Sequence, residues 1–403
     1  MLAAVLAALA GCGTNPIAPG PLPPLSAIVI TPASDTVQVG QTKVFKAVAY
    51  DTLGAPLAGG SFVWQSLDPA IFSVNSFGQV RGVAEGVGRL VASASNRSDT
   101  ATVWVYRQSG WYTQASRTTA NLNGVFFLPD GRSGWAVGNS GVIVATRDAG
   151  DSWSLQVSLT TFNLNAVWFT GRDTGWAVGN GGTVRRTVDG GLNWANVLVP
   201  ASENLLDVVF VARDTGWAVG SGGVILRTTD AGGHWLKSYP TIQVLRGISF
   251  DGSGDGWAVG DGGVIVGTHD RGQSWFVVQP AVTSSQLKGV WRRSESLSWA
   301  MGASGVSPRT VLMTPDTTSW ELRSAGSSFD LEDVNFPEDG IGYAVGYNGV
   351  GAALRTDDGG VTWQAQTSNT QSRLNDVCFV DALRGWAVGN GGTIVHTSRG
   401  GLP

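Results

Sequence analysis

A five-residue word recurs along most of this chain. Gly134-Trp135-Ala136-Val137-Gly138 returns as Gly175-Trp176-Ala177-Val178-Gly179, Gly216-Trp217-Ala218-Val219-Gly220, Gly256-Trp257-Ala258-Val259-Gly260 and Gly385-Trp386-Ala387-Val388-Gly389. Two looser copies, Ser298-Trp299-Ala300-Met301-Gly302 and Gly342-Tyr343-Ala344-Val345-Gly346, complete the series. The aromatic positions are 41, 41, 40, 42, 44 and 43 residues apart, a period that accommodates one four-stranded sheet per copy. In the second copy the strands read Leu164 to Phe169, Gly175 to Val178, Thr183 to Thr187 and Trp194 to Val199. The last copy stops near Gly400 without a fourth strand, whereas Gly110-Trp111-Tyr112-Thr113-Gln114 resembles a fourth strand without its first three. Joining the two would seal a ring and remove its exposed strand edges. The expectation is an all-β chain whose bulk, residues 110–401, is a seven-bladed β-propeller of four-stranded blades, closed by its N-terminal strand.

Composition agrees with this and excludes little else. The 403 residues exceed what one ordinary core holds, and 57 Gly and 17 Trp with few helix-forming stretches suit strands and tight turns. A formal charge of −4 and the lack of any dense Lys/Arg run give no basis for nucleic-acid binding. No cofactor or metal is expected: His234, His269 and His396 are scattered, without paired ligand spacing. Cys378 lies in an apolar strand with no histidine near it in sequence and reads as a small buried hydrophobe. The Gly-rich turns after the repeated word, such as Gly179-Asn180-Gly181-Gly182, precede strands and not helices, so they read as turns and not as phosphate cradles.

The N-terminal quarter reads differently. Leu2 to Ala10 form an apolar run too short to span a bilayer, as in a signal peptide. The run ends in Leu9-Ala10-Gly11-Cys12, which resembles the bacterial lipobox; that implies cleavage after residue 11 and lipidation of Cys12. Gly13 follows the cysteine where lipoproteins retained in the inner membrane carry Asp, so the resemblance implies an exported protein anchored in the cell envelope at the outer membrane. Residues 13–25, with Pro16, Pro19, Pro21, Pro23 and Pro24, read as an extended linker. Residues 26–106 alternate as short strands and turns, a small β-sandwich. Thr31-Pro32, Val39-Gly40-Gln41-Thr42, Val63-Trp64-Gln65-Ser66, Asp68-Pro69, Val74 to Val83 and Gly86-Val87-Gly88 resemble the bacterial Ig-like group 2 family over nearly the whole segment. The resemblance implies a spacer or adhesive module, with Trp64 as the buried aromatic of its core.

A second motif, Asp-x-Gly-x-x-Trp, follows each third strand: Asp148 to Trp153, Asp189 to Trp194, Asp230 to Trp235, Asp270 to Trp275 and Asp358 to Trp363, with a shortened form at Asp316 and Trp320. It resembles the Asp-box (BNR repeat) of sialidase-type propellers. The carboxylate can accept backbone N–H bonds within the turn while the Trp packs between layers, a structural role. Together the two motifs resemble the photosystem II assembly and stability factor family over about residues 110–401. That implies a non-enzymatic protein-binding or assembly platform with an Arg-rich binding surface. Arg185 and Arg186 are adjacent basic residues on one unit, but the family's surface does not transfer position by position.

The residue preceding each first strand is expected to ring the channel mouth: Asn123, Asn165, Leu206, Arg246, Lys288, Glu332 and Asn375. The ring is uneven, with Arg246, Lys288 and Glu332 consecutive and Arg373 close by, and this rim, with Arg185 and Arg186 as further candidates, is the expected partner-binding region. The expected partner is an envelope protein, met by a monomer. Two rivals remain: a passive envelope spacer or adhesion protein, and a sialidase- or xyloglucanase-like glycoside hydrolase. The hydrolase needs paired carboxylates, for which Asp207, Asp261, Asp330 and Glu332 are the loose candidates. Tyr343 occupies a repeat Trp position and Tyr347 is expected in a turn between the second and third strands, so no tyrosine nucleophile is assembled.

Overall fold

The computed structural model describes residues 24–58, 60–84, 86–106, 110–279, 281–294, 297–302, 310–314, 319–324 and 330–402. The leader, Cys12, the linker up to residue 23 and Asp316 lie outside the described residues. The chain divides into two compact units, residues 1–107 and 108–403.

In the first unit, a four-stranded sheet runs in the order Ser34–Gln38, Arg97–Tyr106, Gly86–Ala94, Val63–Ser66, with two three-stranded sheets beside it. Alternation decides which side chains enter the core: Ala101, Val103 and Val105 point inward, while Trp104 and Tyr106 point out. Phe45, Phe72, Val80 and Leu90 fill the centre. Trp64, expected there, is only half-buried and packs at the margin. Its ring lies over Gly78, where a Cβ would come within 2.8 Å of the indole. Two phenylalanines occupy the volume that the sequence reading assigned to the tryptophan.

The second unit is a β-propeller. Its strands form seven four-stranded sheets among the described residues, numbered here by the order of their inner strands. The first comprises Leu122–Phe127, Gly134–Gly138, Ile143–Thr146 and Ser154–Gln156; the second comprises Leu164–Phe169, Gly175–Gly179, Val184–Thr187 and Ala195–Val197. The inner strands of the third to seventh begin at Leu205, Leu245, Leu287, Asp330 and Leu374. Each inner strand neighbours the next, and the seventh neighbours the first. The seventh sheet takes its outer strand from the start of the unit: Tyr112–Gln114 pairs antiparallel with Ile394–Thr397, Tyr112 opposite His396.

The repeated word is the second strand of its sheet, and in the first, second, third, fourth and seventh sheets all five residues are buried. A strand covered on both faces reads as a continuous apolar run and not as an alternation. Its Trp stacks face to face on the inner-strand Phe of the following sheet: Trp135 on Phe169 at 3.5 Å between centroids, Trp176 on Phe210 at 3.7 Å, Trp217 on Phe250 at 3.8 Å. The series continues with Trp299 on Phe336, Tyr343 on Phe379 and Trp386 on Phe127. The Asp-box Trp meets the same Phe edge-on, as Trp194 meets Phe169 at 89°. The first Gly of the word leaves room for its own sheet's Phe, since a Cβ on Gly175 would come within 2.5 Å of the Phe169 ring. Each such aromatic pair adds about 0.5–1.5 kcal/mol beyond area burial. One junction breaks the pattern: Arg292 takes the Phe position of the fifth sheet, lies over Trp257 at 5.8 Å, and is ion-paired with Asp251 at 2.8 Å and Asp255 at 3.3 Å.

The Asp-boxes are built as their chemistry predicts. Asp189 accepts the Asn193 backbone N–H at 2.9 Å and the Thr187 hydroxyl at 2.8 Å, and Gly191 N–H closes on Thr187 Oγ1 at 2.8 Å. Asp148, Asp230, Asp270 and Asp358 repeat the arrangement with Ser152, His234, Ser274 and Thr362. The hydrogen bonds from His234 and Ser274 hold the Asp230 and Asp270 carboxyls down at about 2.

Candidate functional site

Inner strands of neighbouring sheets run side by side without sharing a ladder, so their facing backbone groups need other partners. Side chains in the wall of an axial cavity of about 410 Å³ supply them. At the mouth, Asn123 Nδ2 donates to Leu164 O at 2.9 Å and to Asn139 Oδ1 at 3.0 Å. Asn165 does the same to Leu205 O and Asn180, and Asn375 to Leu122 O and Asn390. One layer deeper, carboxylates accept N–H groups from the next sheet: Asp376 from Val125 at 2.6 Å, Asp207 from Ile248 at 2.8 Å, Asp333 from Val377 at 3.4 Å. Deeper still, Ser249 accepts from Arg292, Asn335 from Phe379 and the Cys378 thiol from Phe127.

Burial pushes Asp207 up to about 7, raises Asp333 and Asp376, which are hydrogen-bonded to each other, and drives the Cys378 thiol up to about 12. A protonated thiol with a backbone hydrogen bond is inert.

All seven expected ring residues line this cavity. They do not precede the inner strands, however. Each lies one or two residues inside its strand, at a register shift such as Leu122/Gly124, Leu245/Gly247 or Leu331/Asp333. The extra residue of a bulge is re-aimed, here into the channel. A bulge leaves no composition signal: the strand expected over Leu164 to Phe169 is found with those bounds, and only the register shift at Leu164/Ala166 shows that Asn165 sits within it and not ahead of it.

Where the stitching asparagines end, charges take over. Arg246 grips Asp261 through Nε at 2.5 Å and Nη2 at 3.1 Å, and Gln286 donates to the same carboxylate at 2.7 Å. The Arg246 hydrogen bond holds Asp261 below its ordinary range. Lys288 pairs with Glu332 at 2.6 Å, Arg373 pairs with Glu332 and reaches Asp330 at 3.7 Å, and the Arg373 guanidinium covers the Tyr347 ring at 5.0 Å. Tyr347 ends the strand Ile341–Tyr347 and is not in a turn. Arg246, Lys288, Glu332 and Arg373 therefore form one half-buried, mixed-charge arc at the channel mouth.

Arg185 and Arg186 are not brought to that arc. Consecutive strand residues face opposite sides: Arg186 covers Trp176 at 5.8 Å, and Arg185 lies in a groove on the far side of its sheet. The four loose acids do not pair as a carboxylate couple; Asp207 accepts a backbone N–H, and Asp261, Asp330 and Glu332 are engaged by Arg246, Arg373 and Lys288. Of the histidines, His234 bonds Asp230, His269 bonds Asp255 and His396 stacks on Trp386.

The family model described as photosynthesis system II assembly factor YCF48 matches residues 103–202, 192–290 and 312–402. No curated protein matches. Among solved structures, YCF48 bound to D1 peptide superposes with a TM-score of 0.61 at 24% identity, covering 72% of this chain and 97% of that one. YCF48 from Cyanidioschyzon merolae gives 0.60 at 22%, covering 72% and 99%. A GH74 xyloglucanase from Xanthomonas campestris gives 0.58 at 14%, covering 73% of this chain and 54% of that one. At these identities the structural likeness shows the fold alone.

Proposed function

The chain belongs to the family of the photosynthesis system II assembly factor YCF48, and on that premise we propose that its propeller is a non-catalytic platform that holds a protein partner at the charged arc of the channel mouth. The propeller is read as seven-bladed and closed by its N-terminal strand. Residues 26–106 are read as an Ig-like spacer, and Cys12 as the lipid anchor that keeps the protein at the envelope.

The observation that carries the proposal is where the repeat is broken. Six of seven aromatic junctions keep one chemistry, and three asparagines stitch one side of the mouth. Arg246, Lys288, Glu332 and Arg373 replace that pattern over one contiguous stretch. Ion pairs at a rim give orientation and partner discrimination more than affinity, as suits an assembly factor that must release what it holds. The related YCF48 structure with a D1 peptide supports a polypeptide as the partner. Engagement of Asp207, Asp261, Asp330 and Glu332 favours binding over hydrolysis.

The test is cross-linking mass spectrometry on intact cells with the chain and its Arg246→Glu/Lys288→Glu variant. The expected result is a defined envelope partner cross-linked to the arc and lost from the folded variant; an unchanged partner set would sink the reading. In the same cells, Cys12→Ser is expected to release the protein from the membrane fraction.

A further inference from the structure

The internal repeat supplies its own control, and against it the groove between the first and second sheets stands out. The groove, of about 980 Å³, is bordered by the outer strand Ser154–Gln156 and the segment that follows it. Three stretches of the propeller share one local structure here: Trp153 to Leu164, Trp111 to Leu122 and Trp363 to Leu374 are of equal length. Ser158 and Ser116 donate their hydroxyls to the carbonyl two residues on, and Ser368, at the same place, lies 3.5 Å from the equivalent carbonyl and donates to Gly351 O at 2.6 Å. The next residue after that serine has a positive φ in all three, 56° at Leu159, 62° at Arg117 and 56° at Asn369. Asn adopts that conformation readily and Leu rarely. Yet here it is a leucine, and 69% exposed.

The neighbouring positions depart in the same direction. Leu155, Val157 and Phe162 stand where one sister stretch has Thr113, Ala115 and Ala120 and the other has Ala365, Thr367 and Ser372. Leu198, on the facing sheet, is 86% exposed and lines the same groove. A contiguous exposed apolar patch on a soluble face marks a contact surface.

A second departure faces it. The third-strand position of Arg185 is Val144, Leu226, Val266, Leu354 and Val395 in the other sheets, aliphatic each time. Arg185 has no carboxylate partner among the described residues: Nη2 donates to Leu159 O at 2.8 Å, and Nε is buried without a hydrogen-bond partner. It is the one charged residue in the groove wall, where burial disfavours its charge. An aliphatic stripe beside one unpaired guanidinium is complementary to an apolar ligand with a single negative group.

We propose that this groove binds an extended apolar peptide segment carrying one carboxylate, which Arg185 receives. A peptide is favoured over a lipid chain because the groove is bordered by an outermost strand, the place where an added strand finds backbone partners, and because Ser140, Thr161 and Asn196 intersperse polar groups along it. This site lies on the first and second sheets, away from the charged arc on the fourth to seventh, so each can fail without the other.

The test is a display selection of random peptides on the full chain, on a fourfold variant that copies a sister stretch (Leu155→Ala, Val157→Thr, Leu159→Asn, Phe162→Ser), and on Arg185→Leu. Apolar, acid-bearing peptides are expected from the wild type, with binding weakened at least about tenfold by the fourfold variant. Arg185→Leu is expected to keep apolar peptides but lose the preference for a carboxylate over its amide. Because Asn suits the left-handed position, Leu159→Asn alone is a folded control that should already reduce binding. The proposal is overturned by peptides that bind all the variants equally, by no enrichment, by self-association that the fourfold change abolishes, or by binding to anionic phosphatidylglycerol vesicles in place of peptides.

Discussion

The arc that runs from the seventh sheet to the second and the arc from the fourth sheet to the sixth are made from the same repeat but held together differently. In the first, asparagine amides reach across each junction to a backbone carbonyl, and Trp stacks on Phe beneath them. In the second, the mouth positions carry Arg246, Lys288 and Glu332, and at one junction Arg292 with Asp251 replaces the aromatic stack. Amide stitching satisfies neutral backbone groups and asks for nothing further. Charged residues at the same positions pair with other side chains, Arg246 with Asp261 and Lys288 with Glu332, and so replace neutral stitching with a mixed-charge rim. Where a repeat could have kept asparagine and did not, the departure is the informative part.

The largest expected effect tests the second arc. Arg292 and Asp251 are both almost fully buried, so Arg292→Ala leaves an uncompensated carboxylate and should cost about 3–5 kcal/mol, read as a lower denaturant midpoint of the propeller transition. A cost below about 1 kcal/mol would show the ion pair to be passive. Next is the first arc: Asn165→Ala removes two partly buried hydrogen bonds and should cost about 1–3 kcal/mol. Partner cross-linking should be unaffected, the reverse of the pattern expected for the Arg246/Lys288 pair. The effect that is smallest per step is a slope and not a level, at most about 1.4 kcal/mol per pH unit, and lies where the arcs meet at Asp207. Its carboxyl is raised to about 7 in the fold against an ordinary value near 4 when unfolded, so the folded chain keeps a proton that the unfolded chain has released. Stability therefore falls as pH rises from about 4 to about 7 and levels off above, with Asp333 and Asp376 acting in the same sense. Asp207→Asn should flatten that slope in midpoints measured across the window.

Much of the architecture was legible because it rests on local chemistry repeated many times. A word of Gly, Trp, Ala and Val in which Ser298 is the one polar variant reads as a strand covered on both faces, and its period sets the sheet size. The missing fourth strand after Thr397 and the orphan strand at Tyr112 require each other, and they pair. The ring residues are legible for the same reason, since the repeat sets the head of each first strand at one end of the channel. What was not legible depends on direction. Arg185 and Arg186 were grouped because they are adjacent in sequence, but adjacency in a strand means opposite faces. Tyr347 is expected in a turn between the second and third strands, yet the strand runs on to carry its ring under Arg373. Trp64 lost the core to Phe45 and Phe72 because the volume available depends on how sheets pack, which a single strand's pattern does not specify.

The outer strand of the seventh sheet is also the one by which the chain enters the propeller. Tyr112–Gln114 is held to the seventh sheet by a three-residue ladder, with Gly110 N–H donating to Leu402 O at 2.8 Å just before it. Trp111, immediately ahead of that strand, is buried and donates from Nε1 to Gln366 Oε1 at 2.8 Å, so the entering segment is fixed to the sixth sheet as well as to the seventh. The seventh sheet can therefore be completed only when the first and the last segments of the unit are both in place, which makes this pairing the step that joins the unit's two ends.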